Sequence, residues 1–277
     1  MTTIRRAIRL ALLLIMASAT SAPAASPSEM FGKFKSGSTV TVDHSAWTKL
    51  LKTYVVASPD GINRVRYAAF KREGHAALKA YIATLSATGV AALDRNEAFA
   101  YWANLYNAKT IDIVLDAYPV KSIKDISLGG GLVATLTGGP WKAKVLNVAG
   151  QDLSLDDIEH AILRPVFKDP RVHYAVNCAS IGCPNLMDEA FTGATLDVKL
   201  NAGARAYLNN PRGLSVTNGT ATASSIYDWF QADFGGSAKG VLAHAKAFAD
   251  PALKQQLESI TTIASFGYDW SLNDAAK

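Results

Sequence analysis

The chain has 277 residues, 49% hydrophobic and 18% charged, with a formal net charge of +5, which is length and apolar content enough for one fairly large domain with its own core. Arg5, Arg6 and Arg9 precede an apolar run over 10–16, and small residues stand at Ala22 and Ala24, so residues 1–24 read as an export signal. Removing three arginines and no acid takes the charge from +5 to +2, and no basic run is interleaved with aromatics, which excludes a nucleic-acid partner from the reading.

The apolar run is too short to span a bilayer, and no cysteine sits near the cleavage site for lipid attachment. The expectation is a single domain over 25–277, periplasmic or secreted, without stable membrane insertion once the signal is cleaved. The glycine clusters at 129–131 and 138–139 lack the lysine and hydroxyl of a phosphate loop. They read as a flap or plain loop, and no cofactor is implied.

In chain order, Asp43 caps a helix to about residue 55, Ser58-Pro59-Asp60-Gly61 marks a turn, and a short strand is expected over 64–67. A second helix covers 74–85. Asp94 with Glu97 resembles a capping box and opens the strongest helix, which runs to about Ala117 before Pro119. A strand over 141–148 and a turn at Ala149-Gly150 follow. Ser154 with Asp157 then caps a helix ending at Arg164-Pro165. A strand is expected over 171–177, then helices over 196–208, 225–234 and 241–260, with a hairpin at Asn218-Gly219. Helices and strands mix without βαβ alternation, so the expected fold class is α+β in a single mixed domain, with papain-like or transglutaminase-like folds as analogies.

Both cysteines, Cys178 and Cys183, fall within the stretch 172–184, V-H-Y-A-V-N-C-A-S-I-G-C-P. On a strand, His173 points away from Cys178 and lies about 16 Å along the chain from it, a poor position for a base. His160 is better placed. On its helix it stands opposite the apolar arc of Leu155, Ile158 and Ile162, with Asp156 four residues before it and Arg164 four after. A histidine held this way can deprotonate a thiol, and a solvated helix face is the equal alternative. In the long helix, Asn104 and Asn107 fall outside the polar strip of Lys109, Asp112 and Asp116. An unpaired buried amide costs about 1 to 3 kcal/mol, so these asparagines either orient a catalytic or substrate group or pin neighbouring backbone.

The segments 100–108 (A-Y-W-A-N-L-Y-N-A), 155–164 (L-D-D-I-E-H-A-I-L-R) and 172–180 (V-H-Y-A-V-N-C-A-S) resemble the bacterial proteins of domain of unknown function family 547. So do Cys183-Pro184, the segment 229–236 (W-F-Q-A-D-F-G-G) and the segment 268–273 (Y-D-W-S-L-N), so that the resemblance spans nearly all of 25–277. Some eukaryotic relatives carry this domain beside glutaredoxin-like modules, which implies thiol or peptide chemistry. The resemblance makes the position of Cys178 the steadier cysteine, with serine standing at that of Cys183 in plant relatives. It also implies glycine where this chain has Ala179, against a left-handed backbone there.

Four readings of the cysteine loop stay open. A Cys178–Cys183 disulfide suits an oxidising compartment and is worth about 2 kcal/mol for so short a ring. Cys178 as nucleophile takes His160 as base and Asn107 or a carboxylate as orienter. Zinc held by Cys178, Cys183, His160 and His173 matches no common spacing, and two free packing thiols complete the set. The catalytic reading is an exported cysteine-dependent hydrolase or acyltransferase acting on a small-molecule or peptide substrate. In it the loop amides and Ser180 stabilise an oxyanion, while Asn104, Asn107 and Arg164 bind or orient. The alternative is a non-enzymatic periplasmic binding or scaffold module stapled by the disulfide.

Overall fold

The structure is a computed structural model that describes residues 25–128 and 139–275. The segment 1–24, read above as an export signal, and the glycines at 129–131 and 138 lie outside the described residues. No helix among the described residues is long and apolar enough to cross a membrane.

Asp43 Oδ1 accepts from Ser45 N at 2.8 Å, satisfying one of the free amides of a first turn, and the helix runs Ser45–Tyr54. The chain then reverses as an antiparallel ribbon, Val55–Ala57 against Asn63–Val65, through a turn in which Gly61 takes a φ of 77°. The strand expected over 64–67 stops at Val65. A helix that the sequence pattern did not suggest, Tyr67–Glu73, starts there, followed by His75–Ser86.

The long helix is Arg95–Ala117. Asp94 accepts from Glu97 N at 2.8 Å, as a cap should. The other half of the expected capping box is absent: the Glu97 carboxylate accepts from Val42 N at 2.8 Å and Gly193 N at 2.7 Å, tying two distant segments to the helix start. From Glu97 to Leu115 every residue except Lys109 is buried. The polar strip therefore divides. Asp112 is as buried as Asn104 and Asn107, because His75 Nε2 at 2.8 Å, Lys79 Nζ at 2.9 Å and Lys109 Nζ at 2.8 Å neutralise it.

Leu146–Val148 pairs antiparallel with Gln151–Leu153. Ala149 and Gly150 sit between them at φ 51° and 81°, the pair of left-handed residues that a two-residue hairpin needs. Ser154 and Asp157 form the expected reciprocal box: Ser154 Oγ accepts from Asp157 N at 3.0 Å and Asp157 Oδ2 from Ser154 N at 2.7 Å. The helix that follows, Asp157–Phe167, is a π-helix and runs past Pro165 instead of stopping there. Such wide turns occur mostly as short local insertions and frequently mark functional positions.

The strand expected over 171–177 is replaced by a helical turn, Val172–Ala175. Pro170 presets the φ of a first turn, and Asp169 Oδ1 accepts from Arg171 N at 2.9 Å. A short apolar run reads equally as strand or buried helix, and these flanking residues decide it. Helix Leu196–Leu208 and the hairpin Leu214–Thr217 with Thr220–Ser224 follow as expected. The helix expected over 225–234 is two short turns, Ile226–Trp229 and Gln231–Phe234. That expected over 241–260 is split into Ala238–Phe248 and Pro251–Leu257, where the proline begins a new helix. Ile263–Gly267 then adds a parallel strand to Thr220–Ser224.

The α+β class holds, as a single mixed domain with small sheets. Its buried residues form two clusters, one around the long helix and one around Tyr174, Tyr207, Tyr227 and Val241. In the second cluster His244 Nε2 meets Tyr174 OH at 2.9 Å, and burial pushes its pKa down to about 4; burial lowers His44 as well. The unfolded chain binds these protons near pH 6.5, so stability is full above that pH and falls as the pH drops from 6.5 towards 4. We expect urea unfolding to show a loss of up to about 3 kcal/mol from His244 across this window, and the profile of His244→Phe to be flatter.

A candidate binding site at the cysteine loop

The loop 176–184 is held from three directions. Asn107, on the long helix, donates through Nδ2 to Ala175 O and accepts through Oδ1 from Asn177 N, both at 2.8 Å. Asn177 in turn donates to Pro184 O at 2.7 Å and accepts from Ala179 N at 2.9 Å, closing the loop on itself. That local bond holds Ala179 at φ 60°, so the left-handed backbone expected to need glycine is adopted by alanine. On the third side runs the segment 268–273: Ile181 N donates to Ser271 O and Gly182 N to Asp269 O, both at 2.8 Å. The approach is close enough that a Cβ on Gly182 would lie 2.8 Å from Asp269 N.

Cys178 and Cys183 are joined as a disulfide, with Cα atoms 6.2 Å apart. Tyr268 OH sits over the pair, 3.0 Å from Cys178 Sγ and donating to Cys183 Sγ at 3.1 Å, while it accepts from Ser180 Oγ at 3.0 Å. Burial pushes the Tyr268 hydroxyl far above the usual tyrosine range, so it stays protonated as a donor.

The disulfide lines a half-open cavity of about 160 Å³ between the two buried clusters. Trp141, Trp229, Trp270, Tyr268 and Phe230 form much of its wall, and the π-helix supplies Asp156, Glu159 and His160. His173 completes it. Its ring stacks on Phe230 with centroids 4.4 Å apart and planes 15° apart, Nε2 meets Asp233 Oδ2 at 2.7 Å, and Nδ1 lies 3.7 Å from Glu159 Oε1. Hydrogen bonds from His173 and Arg164 hold the Asp233 carboxyl well below the usual range. Burial moves Asp156 the other way; His160 draws it back down and the neighbouring Glu159 charge adds to the rise.

His160 therefore shares a cavity with Cys178, although the two side chains form no hydrogen bond. The imidazole Nδ1 lies 3.2 Å from Arg164 Nη1, and each of its nitrogens lies 4.0 Å from a carboxylate, Asp156 or Glu159. Arg164 donates to Asp233 Oδ2 at 2.6 Å and covers Phe230. Ser180 is buried and spends its hydroxyl on Tyr268. Asn104 clamps Phe191, donating to its O at 2.8 Å and accepting from its N at 3.0 Å, outside the cavity.

The zinc set of Cys178, Cys183, His160 and His173 lines one cavity, yet its two sulfurs are bonded to each other. Among the described residues the one group with ligand atoms within 4.8 Å of one another is His75, Asp112 and Asp116. Ammonium groups of Lys79 and Lys109 already sit on Asp112.

Sequence reasoning missed Glu159, Asp233 and the aromatic wall, and placed His173 only in the zinc set while turning it away from Cys178 as a base. A strand at 171–177 had turned His173 away, whereas the helical turn brings it to the cavity. Pro170 was the available signal.

Replacing Asn107 with alanine leaves Ala175 O and Asn177 N buried without partners, at about 1 to 3 kcal/mol each. We expect a fall in Tm of roughly 4–24 °C for a domain of this size, measured by thermal denaturation.

No curated protein and no solved structure matches the chain. Residues 90–208 match the family described as "Protein of unknown function, DUF547". The match takes in the long helix, the π-helix and the cysteine loop, while Trp229, Phe230, Tyr268 and Trp270 lie beyond it. Over that span the resemblance read from the sequence is borne out.

Proposed function

We propose that the chain is an exported, non-enzymatic binding module whose Cys178–Cys183 disulfide is a structural staple beneath a small aromatic pocket. The observation that carries this reading is the state of the loop: both sulfurs are committed to each other. Most of its backbone donors are committed too. Ala179 N bonds Asn177 Oδ1, Ile181 N and Gly182 N bond the segment 268–273, and Cys183 N bonds Ser180 O. A nucleophile without a free thiolate, beside amides that are mostly bonded elsewhere, does not support acyl transfer. Pairing in a disulfide accords with an oxidising compartment and with export.

A second reading, a cysteine-dependent hydrolase or acyltransferase acting on amide or peptide bonds, has one observation in its favour: Cys178, His160 and His173 line the same cavity. It requires reduction of the disulfide first and movement of an imidazole onto Cys178 Sγ.

Alkylation of the native protein with and without reductant, followed by mass mapping, separates the two. We expect no labelling of either cysteine until reductant is added. Cys178→Ser and Cys183→Ser should lose equal stability, about 2 kcal/mol, seen as equal falls in Tm of roughly 4–8 °C. Labelling of Cys178 without reductant, with amide hydrolysis lost in Cys178→Ser and kept in Cys183→Ser, would establish the hydrolase instead.

A further inference from the structure

The ligand class of this pocket follows from its charge. The chain carries 28 lysines and arginines against 23 acids, yet the cavity wall contains two carboxylates, Asp156 and Glu159, and no lysine or arginine. Asp156 is only partly exposed, and among the described residues its one ion-pair partner is His160 Nε2, at the long distance of 4.0 Å. Glu159 lies beside Tyr106, His160 and His173, with no lysine or arginine within ion-pair distance. Two desolvated like charges without a fixed cation between them create a negative potential at the cavity.

The remaining wall is aromatic. Tyr268 contacts Trp270 and Trp229 with centroids 4.6 and 5.0 Å apart, at interplanar angles of 51° and 52°. Trp141 meets Trp270 at 5.6 Å and 65°. Trp229 and Trp270 lie nearer parallel, 5.7 Å apart at 27°, with Tyr268 and Trp141 tilted against them, and aromatic faces attract cations through their quadrupole. Trp270 already does so: Lys124 Nζ lies 5.1 Å from its ring centroid.

We propose, building on the binding-module reading, that the pocket holds a small organic cation of the methylated-ammonium class. Its head group sits against Trp141, Trp229, Trp270 and Tyr268, with Asp156 and Glu159 as counter-charges. The size agrees, since about 160 Å³ is close to a cavity that takes up a single benzene ring. A methylated ammonium suits this wall because its positive charge is attracted by the aromatic faces and the two carboxylates while its methyl groups need no hydrogen-bond partner; a sugar would also find acceptors here, and the titration separates the two.

The test is a titration of the whole protein, disulfide intact, followed by tryptophan fluorescence and calorimetry. The probes are choline, its neutral isostere 3,3-dimethylbutan-1-ol, and glucose. We expect saturable choline binding at least about tenfold tighter than that of the isostere. Asp156→Asn and Trp229→Ala should each weaken choline by about three- to tenfold. Trp229 is 46% exposed, so its replacement leaves the fold, checked by an unchanged melting profile. Equal affinity for choline and the isostere, glucose binding in place of choline, or no saturable choline signal would overturn the proposal. The thiol mapping described above tests the binding-module reading separately, since a reactive Cys178 would sink that reading whatever the choline result.

Discussion

A helix buried on every side has no solvent-facing surface on which to place its polar residues, and the architecture follows from how Arg95–Ala117 deals with that constraint. Trp102 Nε1 and Thr110 Oγ1 are buried there without a hydrogen-bond partner, but its buried carboxylate and amide groups must find partners within the protein. Glu97 does so by accepting two backbone amides from separate segments, Asn104 by pairing both ends of its amide with Phe191, and Asn107 by pairing with Ala175 and Asn177. These groups hold irregular backbone that forms no sheet and little helix. The helix is thus a post to which three loops are tied, and the cysteine loop is one of them.

That tie explains how an alanine comes to occupy a left-handed conformation. Holding a residue with a Cβ there costs about 1–2 kcal/mol, which the bonds made by Asn177 to Ala179 and Pro184 offset. The same tie sets the relation between the disulfide and the cavity. Cys178 and Cys183 present a covalently closed floor, the π-helix contributes charged residues to one wall, and rings from well separated positions contribute the rest.

Much of the helical framework was legible in sequence, because its signals are local. Asp94 before an apolar run, Ser154 with Asp157, and Asn218-Gly219 each identify a boundary or turn from neighbouring residues alone. The failures have physical causes of two kinds. Over 171–177 a five-residue apolar run carries no period long enough to separate strand from helix, and the decision passed to Asp169 and Pro170. At Glu97 the local partner lost to distant ones, Val42 and Gly193, that no sequence spacing reveals. The site shows the same division. Cys178, Cys183 and His160 stood out by residue type and position, but the cavity also needs Trp229, Tyr268 and Trp270, which folding brings from far along the chain.

The segment that supplies Tyr268 and Trp270 is also a long-range clasp. Tyr67 OH bonds Asn273 Oδ1 across 206 positions, Val65 N bonds Asn273 O, and Leu272 N bonds Lys121 O. Closing loops of that size costs chain entropy before any contact rewards it, which slows folding. The matched region at 90–208 provides the cavity's floor and its carboxylates, whereas the clasp together with Trp229 and Phe230 provides most of its aromatic face. A chain that shared only the matched region would inherit the tied loop and the buried carboxylates, while the aromatic face would have to come from whatever else it folds against them.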